Sequence, residues 1–314
     1  MKSIFLAWAG AWLLLASAAA AGRAQVMYRS GQSVQPVFEG REENPDGSYT
    51  MWFGYLNRNH EERPHIPIGP DNYFSVVDAG GAGQGAVAGE GVIDRGQPTH
   101  FYPRRQTFVF GVTVPEDFGD RELVWTLRRD GEVQTAVGKL EPVWVWNLNA
   151  DIWRGNRGGI RSDGPNEPPT VRVVGETATV PVGEPVLLTV SVEDDGVPEP
   201  QGAASPRGAP SVAPPNDLPF ITGSAGEPNR QAVVSAAAAR ETGMAVTWLH
   251  YRGPGPVTFD RMVVPLDAAG GTATTSARFR EPGTYEIRAY ADDGLYPRSA
   301  GVTVIVTGSS AGRR

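Results

Sequence analysis

The chain has 314 residues, with 28 basic and 35 acidic side chains, a net charge of −7 and no cysteine. This length can bury the cores of two ordinary domains. The lack of cysteine excludes thiolate catalysis, iron–sulfur clusters and cysteine-ligated zinc. The acidic balance disfavours binding to nucleic acid and to anionic membranes.

The N-terminal segment, MKSIFLAWAGAWLLLASAAAAGRAQ, has one Lys followed by an apolar run that ends in small residues. This pattern is typical of a secretory signal peptide, predicted here as residues 1–24, with cleavage after Ala24 or Ala21. The alternative is an uncleaved anchor, because the run is just long enough to span a bilayer. We expect an exported protein in the periplasm, at the cell surface or outside the cell, with no stable membrane span after processing and a net charge of −9.

Residues 25–153 are interpreted as a first domain made of strands. Apolar and aromatic segments alternate with turn signals, and residues 44–47 (NPDG) and 130–131 (DG) are each expected to close a β-hairpin. NYFSVV, THFYP and QTFVFGVTVP are predicted as strands, and no segment shows sustained helical periodicity. About seven such strands predict a β-sandwich, which could be immunoglobulin-like.

Residues 154–169 have no apolar pattern and many Gly, Pro and Asp residues, which predicts a linker. The second domain is expected at residues 170–307, with strands such as PVLLTVSV, AVTWLHY, PVTFDRMVV and TYEIRAYA. Residues 199–243 interrupt this series with a segment too poor in large apolar residues to supply core, so a flexible insert is predicted. Residues 308–314 are expected to form a disordered tail.

Three segments of the second domain, VLLTVSVEDDG, VTWLHYRGPGPVTF and FREPGTYEIRAYADDG, resemble the PKD-type immunoglobulin-like module. Trp248 stands where that family buries a strand-C aromatic residue, and Tyr285 follows a Pro-Gly turn as the family's strand-F tyrosine does. The stretch WLHYRGPG departs from the family's Trp-Asp-Phe-Gly-Asp-Gly signature, and His250 within it is expected on the sheet surface. The resemblance implies a spacer or binding role. The predicted fold class is all-β, with two immunoglobulin-like β-sandwich domains in tandem after a signal peptide.

An Asp-Asp-Gly sequence follows two predicted strands of the second domain. In the immunoglobulin strand order these turns open the B–C and F–G loops, which leave the same end of the sandwich. Asp194, Asp195, Asp292 and Asp293 could therefore converge and bind calcium, which prefers carboxylate and carbonyl oxygens. The alternative is plain turn chemistry, in which Asp accepts local N–H groups and Gly adopts positive φ. The spacing matches no calcium-loop motif.

The first domain contains three histidines, His60, His65 and His100. Histidine is a common ligand of zinc and copper, so a metal-dependent enzyme using these loops, with Arg104 or Arg105, is the alternative function. Two observations disfavour a metal site: the histidine spacing fits no metal motif, and surface histidines in loops are common.

Trp144 and Trp146 lie two residues apart in PVWVWN and would share one face of a strand, as a platform for sugar rings. The alternative is that both pack in the core or against the second domain. The sequence contains no Gly-X-Ser-X-Gly elbow, phosphate loop or His-Glu-X-X-His motif. It therefore predicts an exported, non-catalytic binding or spacer protein of the bacterial envelope or extracellular space. The expected partner is a glycan or an envelope protein, and calcium is the one cofactor suggested.

Overall fold

The structure, a computed structural model, describes residues 28–81, 94–140, 167–175, 177–197, 199–200, 242–294 and 297–308. The regular secondary structure of these residues is almost entirely β-strand, with a short 3-10 turn at Glu116–Phe118. The strands are β1 (Val34–Glu43), β2 (Tyr49–Asn57), β3 (Asn72–Val77), β4 (Arg104–Val114), β5 (Glu122–Arg129), β6 (Glu132–Gly138), β7 (Thr170–Val173), β8 (Ala178–Pro181), β9 (Pro185–Glu193), β10 (Met244–Arg252), β11 (Val257–Phe259), β12 (Val263–Leu266), β13 (Gly270–Phe279), β14 (Gly283–Asp292) and β15 (Pro297–Thr307).

The first sandwich packs the antiparallel sheet β1-β2-β4 against the antiparallel sheet β3-β5-β6. This is the immunoglobulin arrangement of strands A-B-E and C-F-G. Both predicted hairpins are present, and the β5–β6 turn has φ of 53° at Asp130 and 81° at Gly131, as a type I′ turn requires.

One predicted strand of the first domain, THFYP, is wrong. In that segment His100 forms a single bridge with His65. The backbone N–H groups bond elsewhere: that of His100 donates to Tyr251 of the second domain and that of Phe101 to Pro64. The segment is extended, as its composition suggests, but it lies between two domains instead of joining a sheet.

The second sandwich packs the sheet β12-β10-β14-β15-β8 against the sheet β11-β13-β9-β7. Strand β7 pairs with β9 in one sheet, whereas β8 pairs in parallel with β15 in the other. The interpretation of PVTFDRMVV as one strand is wrong, because β11 and β12 belong to different sheets. Asp260 lies where the chain passes from β11 in one sheet to β12 in the other. Its carboxylate accepts hydrogen bonds from the Ser276 N–H at 2.7 Å and the Thr275 hydroxyl at 2.8 Å, which fixes this connection to β13.

Buried aromatic residues anchor both cores. Trp248 and Tyr285 are fully buried at the predicted positions on β10 and β14. The Tyr285 hydroxyl donates to the Glu281 carbonyl at 2.9 Å, forming the tyrosine corner of immunoglobulin-like domains. In the first domain Trp125 stacks on Phe74 with centroids 5.8 Å apart. Both domains are therefore immunoglobulin-like β-sandwiches, and the all-β fold class is confirmed.

Several sequence-based predictions fall outside the described residues. These are the signal peptide, the Trp144–Trp146 platform, most of the linker, and all but the ends of the insert and the tail. In the part of the chain that the structure describes, no helix is long and apolar enough to cross a membrane.

Candidate functional site

The two sandwiches meet along a seam, formed by residues 94–102 of the first domain and residues 250–252 at the end of β10. The N–H groups of Thr99 and His100 both donate to the Tyr251 carbonyl, at 3.1 and 3.3 Å. In return, the N–H of His250 donates to the Tyr102 hydroxyl at 3.0 Å. Backbone amides, a backbone carbonyl and a tyrosine hydroxyl of the two domains thereby satisfy one another, as buried amides require.

Each domain contributes a tyrosine to the other's core. Tyr251 belongs to β10, yet it is 2% exposed and packs in the hydrophobic cluster of the first domain. Tyr102 belongs to the first domain and packs in the cluster of the second. The Tyr290 hydroxyl adds a bond to the Val109 carbonyl at 2.8 Å. The domains therefore share packed cores and are not merely tethered.

Arg252 closes the outer side of the seam. Its guanidinium donates to the Gln97 carbonyl at 2.8 Å and forms a two-pronged pair with the Asp94 carboxylate at 2.7 and 2.9 Å. The hydrogen bonds from Arg252 lower the pKa of Asp94, since they stabilise its charged form. Paired hydrogen bonds of this kind fix geometry more firmly than a single contact.

Two histidines face each other across the seam. The rings of His100 and His250 stack with centroids 4.4 Å apart and planes 26° from parallel. His250 is 3% exposed, and neither of its ring nitrogens has a hydrogen-bond partner. The expectation that His250 lies on the sheet surface is therefore wrong, because the first domain covers that face of β10.

The stacked histidines are held neutral. Burial lowers the pKa of His250 to about 3, and the nearby His65 and Arg63 act in the same direction, against the Arg252 backbone, which raises it. Burial likewise lowers the pKa of His100 well below its usual range. The neighbouring His250 is the next largest cause and also lowers it. A proton on either ring would be a buried cation facing other cationic groups.

The histidines of the first domain do not assemble a metal centre in the described residues. His60 lies against Arg104, with 3.2 Å between its Nε2 and the Arg104 Nη1. His65 and His100 are opposite each other in a bridge, but His100 stacks on His250. Stacked imidazoles cannot both direct an in-plane nitrogen at one ion about 2.0 Å away. No three His, Cys, Asp or Glu side chains in the described part of the chain group closely enough to hold a metal ion.

The remaining residues of the enzyme alternative have structural contacts. The Arg105 guanidinium pairs with the Glu39 carboxylate at 2.7 Å and donates to the Gln106 carbonyl at 2.9 Å. A small cavity of about 20 Å³ lies beside His100 and Tyr102. It has room for about one water molecule. Burial raises the pKa of Tyr102 to about 12, so its hydroxyl stays protonated and serves as a hydrogen-bonding group.

The two Asp-Asp-Gly turns leave the same end of the second sandwich. Glu193 at the end of β9 pairs with Gly270, and Asp292 at the end of β14 pairs with Ala245, next to the β12–β13 hairpin. The strand order alone predicts this placement, because it follows from which strands run in the same direction.

Within each turn the aspartates accept local backbone bonds. The Asp194 carboxylate accepts from the Gly196 N–H at 2.9 Å, that of Asp195 from the Val197 N–H at 2.9 Å, and that of Asp292 from the Gly294 N–H at 2.7 Å. Both glycines have positive φ, 81° and 93°. These contacts are those expected of turn chemistry. The calcium site at Asp194, Asp195, Asp292 and Asp293 stays a prediction.

We expect Asp194→Asn to stabilise the protein at neutral pH. Burial raises the pKa of Asp194 to about 6. The hydrogen bond from the Gly196 N–H opposes this rise, and the negative charge of Asp195 adds to it. The carboxylate therefore destabilises the fold above pH 6, and this cost fades as the pH falls from 6 towards 3.8. Since the side chain is half-buried, the gain should be about 1 kcal/mol at pH 7.5. Urea unfolding at pH 7.5 and at pH 3.5 would measure it, and the low-pH difference should be close to zero.

The matched control is Asp195→Asn, which removes one of two acceptors for backbone N–H groups, those of Glu167 and Val197. It should be neutral or destabilising. A bound calcium ion would give the opposite result. If calcium bridges the two turns, calcium at one hundred times its Kd should stabilise the wild type by about 2.7 kcal/mol. Asp194→Asn would then destabilise the calcium-loaded protein, which would contradict the turn interpretation.

Comparison with known proteins gives structural similarity only. No family model matches the chain, and no curated protein matches it. Among solved structures, the chain is similar to domains 4 and 5 of the S-layer protein SbsC, with 11% identity, a TM-score of 0.23, and coverage of 59% of this chain and 65% of that one. The chain thus spans less than two thirds of that structure.

Two further solved structures match over a longer range. Fibronectin(III)-like modules of Clostridium thermocellum CbhA match with 11% identity, a TM-score of 0.22, and coverage of 93% of this chain and 95% of that one. The D00-D0 domain of intimin matches with 8% identity, a TM-score of 0.24, and coverage of 87% and 100%. Because all three TM-scores are below 0.5, the fold assignment rests on this chain's own strand order.

Proposed function

We propose that this chain is an exported, non-catalytic module that acts as a rigid binding or spacer unit in the bacterial envelope or extracellular space. The observation that supports it best is the seam, where Tyr102 and Tyr251 are each buried in the core of the opposite domain. A spacer must keep a set distance between its ends, and a shared core resists the hinge motion that is the default between domains.

Export is supported by the leader-like N-terminus, and the PKD-type resemblance of the second domain fits a spacer or binding role. Hydrophobic cores without disulfides are sufficient for exported domains of this size. The ligand predicted from the sequence is a glycan or an envelope protein. Trp144 and Trp146 remain candidates for glycan binding.

The test has two parts. Mass spectrometry of the protein from its native host should find an N-terminus near Gly22 or Gln25, and intact Met1 in membrane fractions would contradict export. Small-angle X-ray scattering should give one domain arrangement that is the same from 50 to 500 mM salt, since hydrophobic packing dominates the seam. A distribution of interdomain angles would contradict the rigid unit.

A further inference from the structure

A polar cleft lies on the first domain, beside the seam. It is formed by residues 62–67 and by Asp71 together with Arg128 and Arg129, at the end of β5. Its volume of about 430 Å³ is in the range of sites for small ligands. Three arginines line it, Arg63, Arg128 and Arg129, in a chain with a net charge of −7.

The three arginines differ in how their charge is compensated. Arg129 pairs with the Glu62 carboxylate and, at 3.1 Å, with that of Asp130. Arg128 donates to the Tyr73 hydroxyl at 3.3 Å and also lies over its ring, at 5.6 Å from the centroid. Arg63 lies over the ring of Tyr102 at 5.2 Å. Within the described chain neither Arg63 nor Arg128 has a carboxylate in ion-pair range, so both retain charge for a ligand.

The walls of the cleft are held in place before any ligand arrives. Glu62 accepts the Gly31 N–H at 2.7 Å as well as the pair with Arg129. The backbone N–H of Arg128 donates to the Asp71 carbonyl at 2.8 Å, which fixes the end of β5 against the opposite wall. Little conformational entropy is therefore lost when a ligand binds.

We propose that this cleft binds an acidic oligosaccharide, with a uronate carboxylate on Arg63 and Arg128. Guanidinium and carboxylate form paired, charge-assisted hydrogen bonds. Glu62 and Asp71, which line the same cleft, accept hydrogen bonds from sugar hydroxyls and repel a dianion such as phosphate. This mixture of charges matches a ligand that has one carboxylate per ring and many hydroxyls. The proposal names a ligand class for the binding role proposed above.

Isothermal titration of the purified full chain with trigalacturonate tests this site, with neutral maltotriose and inorganic sulfate as comparison ligands. Trigalacturonate should bind at least tenfold more tightly than either. The double variant Arg63→Gln/Arg128→Gln should weaken its binding at least tenfold. The matched control is Arg261→Gln/Arg280→Gln, which removes the same charge from two exposed arginines of the second domain.

If both double variants weaken binding equally, the effect comes from net charge alone and the proposal is overturned. Sulfate binding as tightly as trigalacturonate would also overturn it. Failure of trigalacturonate to bind the wild type would also overturn it. Calorimetric melting of each variant, expected to stay within about 2 °C of the wild type, separates lost binding from lost folding. These outcomes leave the rigid-unit proposal untouched, because that proposal is tested by scattering alone.

Discussion

Replacing Tyr251 by alanine should destabilise the protein by about 3–5 kcal/mol, the cost of truncating a large buried aromatic side chain. The ring is 2% exposed within the core of the first domain, and the Arg288 guanidinium lies 3.5 Å from its centroid. Its hydroxyl donates to the Gly96 carbonyl. Because this side chain is one of those that join the two cores, calorimetry should show one unfolding transition for the wild type and two for the variant.

Two control variants divide this effect into its parts. Tyr251→Phe keeps the ring and removes the hydrogen bond to Gly96, so it should cost only about 1 kcal/mol. Tyr28→Ala removes a tyrosine that is 54% exposed, and it should change the free energy of unfolding by less than about 0.5 kcal/mol. A Tyr251→Ala protein as stable as Tyr28→Ala would show that the seam contributes nothing to stability.

Acid should weaken the seam through His100 and His250. Both rings are held neutral in the folded protein, with the pKa of His250 at about 3 and that of His100 well below its usual range. In the unfolded chain both titrate near 6.5. Their stabilising contribution is therefore complete above pH 6.5 and is lost as the pH falls towards 3. Each histidine that stays neutral should cost about 1.4 kcal/mol per pH unit below 6.5.

The groups that face the stacked rings explain why protonation is resisted. Arg63 and His65 approach from the first domain, and both oppose a further positive charge. Tyr102 contacts His100 at 5.1 Å between centroids, and Tyr285 contacts His250 at 5.6 Å. Both tyrosines are neutral at these pH values, since the ordinary tyrosine pKa is about 10 and burial raises it further. A carboxylate that could neutralise the pair directly is not among these groups.

The double variant His100→Phe/His250→Phe measures the histidine contribution. Phenylalanine preserves the ring stack and cannot be protonated. The free energy of unfolding of the variant should therefore fall less steeply from pH 7 to pH 5 than that of the wild type. The matched control is His60→Phe, since His60 contacts Arg104 away from the seam. Identical pH slopes in the wild type and the double variant would refute this account of the seam.

Much of the fold could be predicted because its signals are local. Alternating apolar residues identified β9 and β14, Asp-Gly at residues 130–131 identified the β5–β6 hairpin, and the resemblance to the PKD-type module placed Tyr285 on a strand after a Pro-Gly turn. One available signal was missed: β10 is buried on both faces, and its sequence, MAVTWLHYR, lacks the polar alternation of a half-exposed strand.

The seam and the cleft could not be predicted from local patterns. Tyr102 and His250 are 148 residues apart in the chain, and nothing in THFYP or AVTWLHY specifies that they meet. The same holds for Arg63 and Arg128, whose shared cleft depends on how β5 lies against residues 62–67.

The sequence by itself determined most of the strands, the hairpin turns and the acidic, cysteine-free composition, because strand and turn signals depend on residues close together in the chain. Only the tertiary structure decided that the two domains share their cores, that His250 is covered and that three arginines line one cleft. Those features depend on packing between surfaces far apart in sequence, and packing of this kind leaves no periodic signal in either segment.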